Sequence, residues 1–112
     1  MAEFSVTRDA AEEICGAATS VQGVAGLTSG RMGRAFLRVP GAMIEGIELI
    51  GPAHIAIHVI YDLSSRREIP QIVSDIQSAV SQTPAIASMG AAPRIDVVVA
   101  DAVRSPRAAT QN

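Results

Sequence analysis

A chain of 112 residues, 48% of them apolar, with a formal charge of −2, is long enough to bury one hydrophobic core unaided. Aromatic residues make up only 3% and there is no basic excess, so general nucleic-acid binding, which relies on stacking and positive charge, is disfavoured. The single cysteine, Cys15, excludes an internal disulfide and fits a reducing compartment. It falls within a predicted helix and reads as a small packing residue rather than a nucleophile. All nine basic residues are arginine, which suits planar anion contacts but equally reflects a GC-rich coding bias. Glu3, Asp9, Glu12 and Glu13 near the start argue against a signal or transit peptide. No apolar run approaches the roughly 18 residues of a membrane span. The expectation is a cytoplasmic protein whose membrane contact is peripheral or made through a partner.

In chain order, Phe4–Val6 reads as a short strand and Thr7 as a helix N-cap, with Asp9, Glu12 and Glu13 near the positive end of the helix dipole. Ala10, Ile14, Ala17, Ala18 and Val21 recur at helical spacing, which predicts a helix from Arg8 to Gln22 with Gly23 as its C-terminal cap. A glycine-rich stretch follows through Gly26, Gly30 and Gly33. Arg34–Val39 is expected to be a short helix ended by Pro40-Gly41. Gly46–Ile50 and His54–Asp62 read as strands. Placing Leu49 opposite Ile55 and Ile47 opposite Ile57 keeps one face apolar, which requires the three-residue loop Gly51-Pro52-Ala53 rather than a two-residue one. Ala53 suits a left-handed turn position poorly.

Ser64–Glu68 is expected to be a loop. Ile69, Ile72, Val73, Ile76, Ala79 and Val80 then form one helical stripe, with Gln71, Ser74, Asp75, Gln77 and Ser78 opposite. Pro70 suits the first turn, where its missing N–H costs nothing. This helix is predicted from Ile69 to Gln82. Ala85–Pro93 is a small-residue connector, and the β-branched run Ile95–Ala100 is expected to be a well-buried last strand. The fold class is α+β: a two-layer sandwich with two main helices on one face of a three- to four-stranded sheet containing a β-hairpin. Residues 1–103 form one domain, and 104–112 read as a disordered tail.

Four stretches carry a likeness to a known family: Val24-Ala25-Gly26-Leu27; Arg34-Ala35-Phe36 with Arg38-Val39-Pro40-Gly41; the long strand ending in Tyr61; and Ile69-Pro70-Gln71-Ile72-Val73 leading to Ile76-Gln77. With the final strand ending in Asp101, they resemble the alkaline shock protein family of bacterial envelope-stress proteins over roughly Phe4 to Val103. The chain departs from that pattern at Asp62, where a glycine is common. It also departs in its longer loop from Leu63 to Glu68 and in its Gly51-Pro52-Ala53 hairpin tip. The resemblance implies a non-enzymatic cytoplasmic scaffold that self-associates and is gathered at the membrane by an integral membrane partner. It implies no catalytic residue and no cofactor.

His54 and His58 would share one metal on a helix, but four strand residues span about 13 Å at ~3.3 Å each, too far for bonds of about 2 Å to one ion. They read instead as part of an interaction surface, His54, Ala56, His58 and Ile60, on the sheet face turned from the helices. Protonating the two histidines would add positive charge there and is expected to weaken a self-contact. Arg31, Arg34 and Arg38 would align on a helix as an anion or lipid-headgroup patch, or simply as a solvated basic edge. Gly30-Arg31-Met32-Gly33 matches the loop with which KH domains clamp RNA, so a small KH-like RNA-binding module is the alternative reading. The acidic balance weighs against it. No nucleophile elbow, phosphate loop or cofactor fingerprint is present, and Glu12 and Glu13 are adjacent on a helix and point apart.

Overall fold

The computed structural model describes residues 7–30, 33, 35–88 and 93–104. The expected strand at Phe4–Val6 and the tail from Ser105 onward lie outside them. In chain order the elements are α1 (Arg8–Thr19), β1 (Val24–Leu27), β2 (Phe36–Val39), β3 (Ala42–Glu45) and β4 (Ile47–Gly51). They continue with β5 (His54–Asp62), a 3-10 turn (Leu63–Ser65), α2 (Ile69–Ser81), α3 (Pro84–Ala87) and β6 (Arg94–Val103). The fold is α+β, as the sequence predicts.

Thr7 caps α1: its extended backbone lets Oγ1 accept from the Ala10 N–H at 3.1 Å. The helix stops at Thr19, short of Gln22. The Thr19 hydroxyl turns back onto the Cys15 carbonyl at 2.8 Å and that of Ser20 onto the Ala17 carbonyl at 2.7 Å, while Gly23 takes φ +105. Its buried stripe is Ala11, Ile14 and Ala18. On α2, Ile72, Ile76 and Val80 are at most 1% exposed. Thr83 follows, and its hydroxyl accepts from the Ile86 N–H to start α3, a short helix inside the expected connector.

β5 is the central strand. One of its edges pairs antiparallel with β4 (Ile47↔Ile57, Leu49↔Ile55) and, farther along, with β1 (Gly26↔Ile60, Leu27↔Val59). Its other edge pairs parallel with β6 along its whole length, so β5, α2 and β6 form a crossover unit. The hairpin register is the predicted one. The three-residue loop resolves into a turn at Pro52-Ala53 plus a register irregularity between Leu49 and Gly51. Arg66 is the one non-glycine described residue with positive φ, so Ala53 avoids the left-handed region.

Two expectations are corrected. The helix expected over Arg34–Val39 gives way, in the described residues, to strand: Phe36–Val39 pairs with β3 in a second, two-stranded sheet (Phe36↔Glu45 to Val39↔Ala42). Alternation decides it, since Leu37 and Val39 enter the core while Phe36 and Arg38 stay exposed, and Gly41 at φ +82 closes the turn. β6 is not well buried either. Ile95 is its one buried residue, at 9% exposure, because β6 lies at the sheet edge where the helical layer ends.

Candidate interaction surface

Ile55, Ile57 and Val59 face the helices and are 0–1% exposed. Alternation therefore turns His54, Ala56, His58 and Ile60 to the opposite face, where the sequence places them. Ala56 is nonetheless buried, its methyl lying between its register partners Glu48 on β4 and Asp96 on β6. The other three are partly exposed.

Each histidine holds a carboxylate on a different neighbouring strand. His54 Nε2 lies 2.7 Å from Asp96 Oδ2, and His58 Nε2 lies 3.1 Å from Glu48 Oε1. Arg94 Nε donates to the second Asp96 oxygen at 3.3 Å. The hydrogen bond from His54, and after it Arg94, holds the Asp96 carboxyl below the usual carboxylate range. The two histidines converge on no common point, and no described group of three His, Cys, Asp or Glu side chains could hold a metal ion. Glu48 and Asp96 are the members that sequence reasoning missed. Glu48 was within reach, because the hairpin register already sets it opposite Ala56. Asp96 was not, because its position depends on the parallel pairing of β6.

Around this polar strip lie Val98 beside His58, Asp101 beside Ile60, and Gly26 on the far side of Ile60. Val98 and Val103 are exposed, as is Ile50 near the hairpin tip.

The arginine patch is not assembled as a helical row. Arg31 and Arg34 lie outside the described residues, and Arg38 sits exposed on β2 opposite Met43. The Gly30–Gly33 loop is closed by the Gly33 N–H on the Gly30 carbonyl at 3.1 Å and leads from β1 to β2. The KH layout required a helix after that loop, and a strand stands there. Glu12 pairs with Arg8 at 3.2 Å, while Glu13 accepts from the Ala85 N–H at the start of α3, so the two carboxylates do point apart. Cys15 is partly buried, and burial, aided by Glu12, pushes its thiol pKa up, away from nucleophile behaviour.

No described helix is long and apolar enough to cross a membrane. No family model, curated protein or solved structure matches the chain.

Proposed function

We propose that this chain is a non-enzymatic scaffold or interaction protein of the envelope-stress kind, working in the cytoplasm, drawn to the membrane by an integral membrane partner, and self-associating. The observation that carries this reading is the partly exposed sheet face bearing His54, His58 and Ile60, turned away from the buried row Ile55, Ile57 and Val59. Its polar groups are already paired within the face, so covering it strands few of them. Ile60 and Val98 supply apolar surface between those pairs.

Light scattering over a range of concentrations tests this. The expected result is a mass above the monomer that rises with concentration and falls with Ile60→Lys. A strict monomer under every condition would overturn self-association.

A further inference from the structure

We infer that the outer edge of β6 pairs antiparallel with β6 of a second copy of this chain, across a two-fold axis at Val97. This rests on the self-association proposed above and names a contact for it.

The backbone supplies the first ground. The Arg94 N–H donates to the Ala53 carbonyl at 2.8 Å, toward β5. Because strand residues alternate in direction, Asp96 and Val98 also bond β5, while Ile95, Val97 and Val99 turn their N–H and C=O groups outward. The Ile95 carbonyl indeed accepts from Gln77 Nε2 of α2, not from the sheet. Among the described residues, Val97 and Val99 have no partner on that outer edge. An unpaired edge of this length is a template for another strand.

Side-chain cover is the second ground. On the helix-facing side, Ile55, Ile57 and Val59 of β5 are closed off, but Val97 and Val99 beside them remain partly exposed. On the other side Val98 is 39% exposed. A strand added to this edge extends the sheet and covers valines on both faces.

Register selects a second copy as the occupant. A two-fold axis at Asp96 or Asp101 would set like carboxylates against each other. With the axis at Val97, Ile95 faces Val99 of the second copy and Asp96 faces its Val98. The register of β6 slips by one residue between Val99 and Asp101, which returns Asp101 to the face carrying Arg94. Ala100 and Asp101 together then oppose Arg94 of the second copy. Two Arg94–Asp101 ion pairs, one at each end, flank a central cluster of valines. Arg94 holds Asp96 through Nε alone and has 74% of its side chain exposed, so its terminal guanidinium nitrogens can reach across. An axis at Val98 loses this match, because the same bulge then sets Ala100 and Asp101 against Asp96, one carboxylate against another.

The test uses the full chain in sedimentation equilibrium. Val97→Pro removes an outward N–H and leaves the ladder to β5 intact, so it is the substitution an edge strand tolerates. It is expected to weaken dimerisation at least tenfold with an unchanged circular dichroism spectrum. Should that variant fold poorly, charge exchange decides: Arg94→Asp and Asp101→Arg each weaken the dimer, and the double variant restores it. A native dimer unaffected by Val97→Pro, or no rescue by the double exchange, overturns the edge contact. If Ile60→Lys alone then dissociates the dimer, self-association stands through the open face. Capture of another protein's strand at this edge by a monomeric chain also overturns it.

Discussion

Gly46 joins β3 to β4 at φ +97, and a Cβ built there would lie 2.6 Å from Leu27 Cβ. Its N–H donates to the Ala35 carbonyl at 2.7 Å and its carbonyl accepts from His58 at 2.8 Å, so the backbone has no room to relax. Gly46→Ala is expected to cost on the order of 1–3 kcal/mol through strain and overlap. Gly16, on α1 with nothing within 4 Å, responds oppositely. Gly16→Ala is expected to add about 0.5–1 kcal/mol by lowering the entropy of the unfolded chain. Urea denaturation of both variants reads the two signs, and equal signs would refute the placement of one glycine. Asp96 gives a pH signature. Its folded pKa is depressed, so the stability it adds is present above its unfolded value, near 3.9, and is lost as pH falls through the folded value. The melting temperatures of wild type and Asp96→Asn should differ at pH 6 and draw together only in stronger acid, as pH falls through the depressed folded value of Asp96. A difference that persists in acid would show that charge at Asp96 is not the cause.

Ile76 is the middle of the α2 stripe and is wholly buried, among the core that also contains Ile14, Ile57 and Ile72. Ile76→Asp sets an unpaired carboxylate there and is expected to unfold the domain, while Ile76→Val costs about 0.5–1.5 kcal/mol. An unchanged melting temperature for Ile76→Asp would remove α2 from the core. Elements of this kind were legible in sequence because a long apolar period has one reading: both main helices start where predicted and end within a few residues of expectation. The β4–β5 register was legible because one slip would turn Ile55 and Ile57 to the wrong face. The short strands were not. β1 is four residues with Gly26 inside it, and β2 owes its state to pairing with β3, a contact that no local pattern in Arg34–Val39 declares. β6 was found, but its edge position was not, because a β-branched run looks alike in a central and an edge strand. The candidate face followed the same rule. His54, Ala56, His58 and Ile60 came from alternation alone, whereas Asp96 depended on a neighbour brought back by the crossover through α2.

At the scale of the whole molecule, stability is graded by how many sides of each strand are bonded. β5 has partners on both edges, so its amides should exchange only as slowly as the entire fold opens. The β2–β3 hairpin is joined to the main body through Leu37 and Val39 in the core and, at its end, through the His58 N–H on the Gly46 carbonyl. Its amides should exchange faster, through a local opening that leaves the main sheet intact. β6 combines the two regimes residue by residue. In dilute protein, the Asp96 and Val98 amides, bonded to β5, should be protected, and those of Val97 and Val99, turned outward, should exchange within the dead time. Raising the concentration should slow Val97 and Val99 selectively, because a second strand on that edge takes up their N–H groups. Native-state hydrogen exchange at two concentrations reads all three gradations in one experiment. If Val97 and Val99 are as protected as Asp96 and Val98 in dilute protein, the outer edge of β6 is not open. If concentration slows every amide alike, association stabilises the fold without occupying that edge.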